Sequence, residues 1–328
     1  MVSQINIAVI GAGYWGYKLI KEYLSLSKNR QEVKLTGIVD ISKQRLKQVA
    51  KELNLPKTIL YTNIDQILTN NNIDAVHIAT PNETHYQIAA KSLQAGKHVL
   101  LEKPMTLSSR EAFKLAREAE QHNQLLLIGH IYRFNHAVTK TRKLLKKDII
   151  GKPRYIEMRW TTNMPPPPNR DIIFDLAPHP IDIINYLFND WPTRVYALAK
   201  SYIRKTPGKE ETAYILAELP EEQIASITLS WIHPGPKTRT YTIVGEKGTL
   251  HVNALTQQIT LYDKNNNPKQ IPVNVNNTIE TMITHFINCI TNDDAPENSA
   301  LIGAITVTIL EATIKSLKQK TPIEIFPE

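Results

Sequence analysis

A short apolar run followed by a glycine-rich turn constrains the fold of this chain more than any other feature. Ile5–Ile10 is a six-residue run rich in Ile and Val, and the turn directly after it has the spacing G-x-G-x-x-G. Its residues are Gly11, Ala12, Gly13, Tyr14, Trp15 and Gly16. In such a turn the first glycine permits a tight bend, the second lets an anion approach the backbone, and the third lets a helix pack closely. The sequence therefore predicts a strand, a phosphate-binding turn and a helix in a dinucleotide-binding unit.

The following hundred or so residues repeat this alternation of buried strands and helices. Short runs rich in Val, Ile and Leu occur at Val33–Val39, 75–79, His98–Leu101 and 125–128. A helix after Asn82 should end at Gly96. The next helix should begin at Ser108, with Glu111 completing a capping box. Alternating strands and helices predict a doubly wound α/β sheet, here a Rossmann domain over 1–128.

After Ile128 the pattern changes to an alternation of apolar and polar residues with a period of two, which is typical of strands with one wet face. Such stretches occur at 155–160, 194–202, 212–219, 223–231, 239–244, 249–252 and 258–262. Gly245 to Gly248 should form a hairpin turn. Helices are expected at 280–291 and 299–317. The second domain, 129–328, is therefore predicted to be α+β with a large open, mainly antiparallel sheet.

The chain is basic, and much of its excess positive charge lies in one segment. Its 328 residues include 39 basic and 31 acidic side chains, a formal net charge of +8. Seven basic residues lie between positions 140 and 154, interleaved with Leu and Ile at helical spacing. That pattern predicts the solvated face of an amphipathic helix. Without a helix-turn-helix, zinc-finger or RNP signature, we expect no nucleic-acid partner.

Cysteine usage and apolar run length indicate the compartment. Cys289 is the one cysteine, so no internal disulfide can form, and a reducing, cytoplasmic location is expected. One cysteine and the lack of a His-Glu-x-x-His pattern also argue against a metal site. The longest apolar stretch, 300–310, contains Thr306 and Thr308 and falls short of the roughly 18 residues that a membrane-spanning helix needs. We expect a soluble protein without membrane contact.

Asp40 ends the strand that follows the first helix. A carboxylate at this position accepts hydrogen bonds from both hydroxyls of an adenosine ribose and repels a 2′-phosphate, which favours NAD over NADP. Lys43 and Arg45 would soften that repulsion. The alternative for Asp40 is a helix cap or a turn residue.

Three further motifs resemble those of the Gfo/Idh/MocA oxidoreductase family. They consist of Ala79, Thr80, Pro81 and Asn82 with His85; of Glu102, Lys103 and Pro104; and of Asp175, His179 and Asp182 in the spacing D-x-x-x-H-x-x-D. The resemblance spans essentially the whole chain. It implies hydride transfer between a sugar hydroxyl or ketone and a nicotinamide cofactor, and it implies cofactor contacts at Thr80, Pro81, Asn82, His85, Glu102 and Lys103.

The same resemblance implies the catalytic residues. His179 would be the base that removes the hydroxyl proton, a task suited to a group with a pKa near 7. Lys103 would bind the reacting oxygen and the nicotinamide ribose, and Asp175 would contact the substrate. The alternatives are a buried structural histidine at 179 and an ordinary surface lysine at 103. Asp182 could hold the histidine ring or the local helix.

Two prolines, Pro178 and Pro180, flank His179. Because proline inside a helix removes a hydrogen bond and clashes with the preceding turn, a helix shared by Asp175 and His179 would be broken there. An alternative is a helix that starts at Pro180, with His179 just outside it.

The segment 129–135 reads Gly-His-Ile-Tyr-Arg-Phe-Asn and lies just past the last predicted Rossmann strand. Ligands of open α/β sheets bind near such positions, so Arg133 and Asn135 are candidate substrate contacts. Packing between the domains is the alternative.

Within the family, segment 129–135 and the Asp-Leu-Ala-Pro-His run at 175–179 most resemble the branch that acts on nucleotide-linked sugars, such as UDP-N-acetylglucosamine. A basic protein suits a diphosphate substrate. A free polyol or sugar is the alternative substrate. A non-catalytic, dinucleotide-sensing regulator is the alternative of another class, and it would have no need of Lys103 and His179.

An open sheet with an alternating pattern cannot leave a broad apolar face in water. Pairing of such faces predicts a homodimer or homotetramer. The side chains expected to help cover that face are Ile215, Ala217, Ile227, Leu229 and Trp231.

Overall fold

The computed structural model describes residues 4–168, 170–206 and 208–325, which form two compact units. The first unit comprises the residues up to Gly129 together with Ile279–Ala304. The second comprises His130–Thr278 and the residues from Ile305 onward. The expected boundary after residue 128 is thus one residue away from the observed one.

The expected continuous second domain, 129–328, is corrected by the segment Ile279–Ala304, which belongs to the first unit. Asn298 holds this segment to the last Rossmann strand. The Ile128 N–H donates to the Asn298 carbonyl at 2.9 Å, and Asn298 Nδ2 donates to the Ile128 carbonyl at 2.5 Å. Sequence patterns do not reveal this return because it depends on pairing between residues far apart in the chain.

The described part of the first unit contains a six-stranded parallel sheet. Its strands are β1 (Ile5–Ile10), β2 (Val33–Val39), β3 (Leu60–Tyr61), β4 (Ala75–Ile78), β5 (His98–Leu101) and β6 (Leu126–Ile128). The spatial order is β3-β2-β1-β4-β5-β6. The chain order therefore reverses direction between β1 and β4, the switch point where doubly wound sheets bind ligands at their carboxyl ends. The predicted Rossmann fold is confirmed.

Helices connect these strands. They are α1 (Tyr14–Asn29), α2 (Lys43–Leu53), α3 (Asp65–Leu68), α4 (His85–Gln94) and α5 (Ser109–Gln121). Gly96 adopts the left-handed conformation expected just past a helix, with φ +72°. Ser108 stands at the N-cap of α5 as predicted, but its side chain accepts no capping hydrogen bond, so the predicted capping box is wrong.

The described part of the second unit contains a nine-stranded sheet in the order β14-β13-β12-β11-β7-β10-β9-β8-β15. The strands are β7 (Pro153–Thr161), β8 (Arg194–Lys200), β9 (Thr212–Glu218), β10 (Ile224–Ser230), β11 (Thr238–Gly245), β12 (Gly248–Asn253), β13 (Gln258–Asp263), β14 (Pro268–Ile271) and β15 (Ile323–Glu324). Strands β7 and β10 pair in parallel, and the other neighbours pair antiparallel. This confirms the large, mainly antiparallel sheet, although β14 and β15 were not predicted.

The remaining helices are α6 (His136–Lys146), α7 (Ile172–Leu176), α8 (Pro178–Phe188), α9 (Thr278–Thr291) and α10 (Ala300–Gln319). Helix α6 ends sooner than its basic pattern predicts. Ile149 is exposed and Ile150 is buried in the turn that leads into β7, so these two residues do not extend the apolar face of a helix. Asp148 at φ +56° and Gly151 at φ +70° cause the chain to leave the helical path.

The two faces of the large sheet are reversed relative to the oligomer prediction. All five residues expected to cover an intersubunit face are buried within the chain. The opposite face carries Leu198, Tyr214, Leu216 and Ile224, each more than half exposed. The assignment of the five residues is therefore wrong, since a period of two separates the faces without showing which one packs on helices.

Helix α10 spans 20 residues and is long and apolar enough to cross a membrane by length and composition. This corrects the expectation that the longest apolar stretch is too short to do so. Half of its most apolar window is buried inside the protein. Thr313 and Ser316 are also fully buried, and Ser316 Oγ accepts a hydrogen bond from the backbone N–H of Ala197 in β8. These contacts are those of a core helix.

Candidate cofactor and substrate sites

The glycine-rich turn has a shape that fits a pyrophosphate. Gly11 has φ +96°, and a Cβ there would lie 2.6 Å from the Ala79 carbonyl oxygen. A Cβ on Gly16 would lie 1.8 Å from the Gly11 carbonyl oxygen. Around Gly13, by contrast, nothing lies within 4 Å of a Cβ. The turn is therefore closed on the side of the sheet and open at Gly13.

Helix α1 begins immediately after this opening, at Tyr14. Its N-cap residue, Gly13, has no side chain to satisfy the first N–H groups of the helix. These donors, together with the helix dipole, favour an anion at this end. Lys18 lies over the exposed Tyr14 ring at 4.5 Å and over the Trp15 ring at 5.4 Å. The local arrangement fits the phosphates of a dinucleotide.

Asp40 lies beside the same turn. Its Oδ2 accepts a hydrogen bond from the Ala12 N–H at 2.8 Å, and its Oδ1 accepts one from the Ser42 N–H at 2.9 Å. Arg45 Nε donates to the Ala12 carbonyl at 2.6 Å. Ser42, and not Asp40, caps α2, so the helix-cap alternative for Asp40 is wrong. The carboxylate still has acceptor capacity for ribose hydroxyls.

Thr80, Pro81 and Asn82 follow β4 at the carboxyl edge of the sheet, as their motif implies. Thr84 holds this loop, since its hydroxyl donates to the Pro81 carbonyl oxygen at 2.7 Å and pairs with the Thr80 hydroxyl at 2.8 Å. Pro81 is exposed, and the side chains of Thr80 and Asn82 are half-buried. All three therefore remain candidates for cofactor contact.

His85 has a different position from the one expected. Its ring is 1% exposed and lies between two backbone carbonyl oxygens, with Nδ1 2.8 Å from that of Pro104 and Nε2 3.1 Å from that of Thr80. Burial lowers the pKa of His85, although the carbonyl contacts oppose this shift. The ring ties the loop after β4 to the loop after β5. The cofactor contact expected of His85 stays a prediction.

Glu102 and Lys103 follow β5 at the same edge. Glu102 is buried and its Oε1 lies 3.3 Å from His77 Nε2. Lys103 is half-buried. The two residues thus lie at the carboxyl end of the parallel sheet, which is the end that binds ligands in this fold.

In the second unit, aromatic rings surround His179. The Tyr132 ring meets the His179 ring edge-on, with centroids 5.0 Å apart, and it meets the Trp160 ring in the same way at 5.6 Å. Tyr132 lies in a short 3-10 helix at Ile131–Phe134, and Trp160 lies in β7. These contacts orient the imidazole that the family resemblance marks as the base.

Asp175 is 9% exposed and pairs with Arg170, whose Nη1 lies 3.1 Å from Asp175 Oδ1. Arg239 is buried in the same region. Burial lowers the pKa of Arg239, and its neighbours Tyr132 and Asp175 oppose this shift. Asp175 therefore has a positively charged environment, formed by Arg170 and Arg239.

Helix α7 brings Asp175 into position and is capped by Asp171. Asp171 Oδ1 accepts hydrogen bonds from the Ile173 N–H at 2.5 Å and the Phe174 N–H at 3.0 Å. Burial nevertheless raises the pKa of Asp171 to about 6. This capping residue therefore titrates close to neutral pH.

The prolines around His179 are accommodated by a break between two helices. Helix α7 ends at Leu176 and α8 begins at Pro178. Asp175 and His179 therefore lie on different helices, and neither the single shared helix nor a start at Pro180 is observed. Pro178 and Pro180 both fall in the first turn of α8, where backbone N–H groups have no partner within the helix and proline is tolerated.

Arg133 and Asn135 have hydrogen-bond partners within the second unit, and the substrate contact expected of them stays a prediction. Arg133 is buried, and it donates from Nε to Asp182 Oδ1 and from Nη2 to Asn185 Oδ1, both at 2.7 Å. Asn135 caps α6 by accepting from the Ala137 and Val138 N–H groups. Asp182 therefore holds Arg133 and, through it, the segment before α6.

Tyr132, Trp160, Arg170 and Arg239 were not among the predicted site residues. The alternating sequence of β11 could have indicated Arg239, because this residue shares the buried face of the strand with Tyr241 and Ile243. A charged residue on an otherwise apolar face is buried only where it has a partner. No comparable sequence pattern indicates Arg170, which follows a loop that contains the proline tract 165–168. Asn169 of that loop lies outside the described residues.

The Rossmann fold and its glycine-rich turn define the class of the protein as a dinucleotide-binding protein. Among residues 4–168, 170–206 and 208–325, no three His, Cys, Asp or Glu side chains form a group that could hold a metal ion. The chain belongs to the Gfo/Idh/MocA family. The model for the oxidoreductase family with an NAD-binding Rossmann fold matches residues 5–130, and the model for the Gfo/Idh/MocA C-terminal domain matches residues 138–251.

Individual relatives support the same assignment. UDP-N-acetylglucosamine 3-dehydrogenase of Acidithiobacillus ferrooxidans is 31% identical over 237 residues, covering 72% of this chain and 70% of that protein. The NAD-dependent scyllo-inositol 2-dehydrogenase of Bacillus subtilis is 24% identical over 339 residues, covering 99% and 97%. A solved structure of the A. ferrooxidans enzyme superposes with a TM-score of 0.84 at 25% identity, covering 96% of this chain and 98% of that one.

Proposed function

We propose that this protein oxidises a hydroxyl group of a nucleotide-linked sugar, such as UDP-N-acetylglucosamine, or reduces the corresponding ketone. The observation that carries the proposal is the 31% identity to a UDP-N-acetylglucosamine 3-dehydrogenase across 72% of the chain. The positive environment of Asp175, with Arg170 half-exposed beside it, supports a substrate that carries negative charge.

The cofactor is held by residues of the first unit. The Gly11–Gly16 turn binds the pyrophosphate and Asp40 binds the adenosine ribose. Thr80, Pro81, Asn82 and Glu102 are the remaining candidates for cofactor contact. NAD, when bound, supplies the nicotinamide that accepts or returns the hydride.

The chain's own side chains handle the proton and the developing charge. In the oxidation, the carbon–hydrogen bond of the substrate breaks as a hydride leaves, and the hydroxyl proton moves to Nε2 or Nδ1 of His179. The Lys103 ammonium group stabilises the developing alkoxide. Asp175 accepts a hydrogen bond from a neighbouring sugar hydroxyl. A ketone results, and the same groups act in reverse during reduction.

A free polyol is the second candidate substrate. It is favoured by the scyllo-inositol 2-dehydrogenase of B. subtilis, which aligns with 99% of this chain. An assay of nucleotide sugars and matched free sugars and polyols, followed by NADH absorbance, tests the two. Turnover of UDP-N-acetylglucosamine but not of inositols supports the first proposal, whereas the reverse result replaces it with the second.

We also propose that two copies pair through the exposed face of the large sheet. That face carries Leu198, Tyr214, Leu216 and Ile224 and contains a shallow depression of about 520 Å³. Arg194 lies at its border and pairs with Glu218 and Glu324. Apolar residues surrounded by charges are typical of protein interfaces. The reducing compartment expected from Cys289 stays part of the proposal, since this thiol is buried and its pKa is raised to about 11 by burial.

A further inference from the structure

Three buried polar side chains of the first unit form a connected row, and two of them have no role in the function proposed so far. Tyr23 lies on α1, His77 on β4 and Glu102 directly after β5. The first two are fully buried and Glu102 is 6% exposed. Tyr23 Oη lies 3.1 Å from His77 Nδ1, and His77 Nε2 lies 3.3 Å from Glu102 Oε1. We call Tyr23, His77 and Glu102 the buried trio.

The direction of the hydrogen bonds in the buried trio follows from its chemistry. Burial and the charge of Glu102 raise the pKa of Tyr23 above its ordinary value, so its hydroxyl keeps its hydrogen and can donate to Nδ1. A neutral imidazole that accepts at Nδ1 carries its hydrogen on Nε2. Nε2–H then donates to Oε1 of the Glu102 carboxylate.

A second contact limits where the Glu102 carboxylate can lie. A Cβ on Gly129 would be 2.8 Å from Glu102 Oε2 and 3.1 Å from Oε1. Glycine is therefore the residue that leaves room for the carboxylate at this position. His77 holds Glu102 from one side and Gly129 limits it on another, so its oxygens have little freedom.

The place where Glu102 is held is the carboxyl edge of the sheet. The Glu102 N–H donates to the Ile78 carbonyl at the end of β4, and the Gly129 N–H donates to the Leu101 carbonyl at the end of β5. Because this edge binds the dinucleotide in doubly wound sheets, a fixed acceptor here can receive a hydrogen bond from a ribose hydroxyl.

We propose that His77, oriented by Tyr23, is a positioning residue that fixes the Glu102 carboxylate as an acceptor for the hydroxyls of the nicotinamide ribose. This inference rests on the proposed function in one respect, since it places the nicotinamide half of the cofactor at this edge. The row also joins α1, which begins at the phosphate-binding turn, to the loop that carries Lys103.

The test compares the binding of NAD and ADP to full-length protein by fluorescence or calorimetry. ADP has the adenosine and the diphosphate but lacks the nicotinamide ribose. His77→Leu should weaken NAD binding about 10-fold, the value of one hydrogen bond to a charged group, and should leave ADP binding within about 2-fold. His77→Gln keeps an N–H near the position of Nε2 and should retain most of the NAD affinity.

Two further variants keep the inference testable if His77→Leu does not fold. Tyr23→Phe removes only the hydroxyl that orients the ring and should weaken NAD binding more than ADP binding. His98→Leu removes a histidine at the opposite end of β5, where Nδ1 accepts from the Leu125 N–H, and should change neither selectively.

Equal losses of NAD and ADP affinity in His77→Leu and Tyr23→Phe would mean that the buried trio only supports the fold, and would overturn the inference. Unchanged binding of both ligands would overturn it as well. Failure of the proposed function is seen separately, as a lack of sugar turnover in wild-type protein that still binds NAD more tightly than ADP.

Discussion

The carboxylate of Asp40 and the backbone N–H of Ala12 are joined by a hydrogen bond of 2.8 Å. Asp40 therefore holds the glycine-rich turn through this bond, and its remaining acceptor capacity is what the proposed function assigns to a ribose. Arg45 supports the same turn through the Ala12 carbonyl. Its guanidinium is thus committed to the turn, which limits how far it can offset the charge of Asp40.

Replacing Asp40 should change cofactor preference in two separable ways. Both Asp40→Asn and Asp40→Ala remove the charge that repels a 2′-phosphate, so both should narrow the difference between NAD and NADP affinity. Asp40→Asn keeps an acceptor for the Ala12 N–H, so it should retain more total affinity than Asp40→Ala. Fluorescence titration of both cofactors measures this. Tighter NADP than NAD binding in the wild type would contradict the role given to Asp40.

Gly13→Ala and Gly16→Ala should separate cofactor binding from stability. A Cβ on Gly13 meets nothing within 4 Å, so Gly13→Ala should leave the melting temperature nearly unchanged and weaken NAD binding by occupying the phosphate position. A Cβ on Gly16 would overlap the Gly11 carbonyl, so Gly16→Ala should lower both. Thermal unfolding with and without NAD measures the two effects. Normal NAD affinity in a folded Gly13→Ala protein would argue that the phosphates lie elsewhere.

His179→Ala should lower turnover by roughly 10²–10⁴, the usual contribution of a general base, and should leave NAD affinity within a few-fold. Because the neutral imidazole is the active form, wild-type oxidation should rise with pH around a midpoint of roughly 7. Lys103→Ala should also lower turnover through loss of positive charge beside the alkoxide.

Asp171 provides the control for this pH profile, since burial raises its pKa to about 6. Asp171→Asn keeps the cap of α7 and removes this titration. The rise should persist in Asp171→Asn and disappear in His179→Ala. A rise that disappears only in Asp171→Asn would assign the profile to the helix cap.

Glu211 should make the second unit sensitive to acid. Burial would raise the pKa of this fully buried carboxyl, but hydrogen bonds from the Arg204 side chain and from the Tyr202, Ile203 and Arg204 N–H groups outweigh it and lower the pKa to about 2. Because the folded pKa lies below the ordinary value of 4.5, the stabilisation is present above that value and is lost as pH falls towards 2.

Glu211→Gln should therefore lower the free energy of unfolding by about 3–5 kcal/mol near neutral pH, as for other broken buried ion pairs. Its difference from the wild type should shrink as the pH falls below about 4.5. Urea unfolding across this pH range measures both. A difference that is independent of pH would show that the charge of Glu211 contributes nothing to the effect.

The wild-type protein should be a dimer or larger at micromolar concentration. Leu216→Lys places a charge in the middle of the exposed apolar face and should shift the protein towards monomer. Val275→Lys changes a residue that is equally apolar and 68% exposed but lies in the loop after β14, so it should leave the assembly unchanged. Light scattering gives the masses. A monomeric wild type, or equal behaviour of the two variants, would contradict sheet pairing.

Local sequence was sufficient for most of the elements and for the glycine-rich turn of the first unit. The Gly11–Gly16 spacing, the strand before it and Asp40 after the next strand predict the turn correctly, because backbone geometry, glycine sterics and sequence distance are local properties. Residue roles taken from motifs depend on contacts that a motif does not encode. A cofactor contact was expected of His85 and a substrate contact of Asn135. In the structure the His85 ring lies between two backbone carbonyl oxygens and Asn135 caps a helix.

The sequence by itself determined the alternation that makes one unit a parallel α/β sheet and the other an open, mainly antiparallel sheet. Side-chain period and hydrophobic run length are set residue by residue along the chain. Only the tertiary structure decided which face of the large sheet is buried, that 279–304 return to the first unit, and that Tyr23, His77 and Glu102 meet. These depend on contacts between residues 25 to 170 positions apart, and no local pattern encodes the partner at the other end of such a contact.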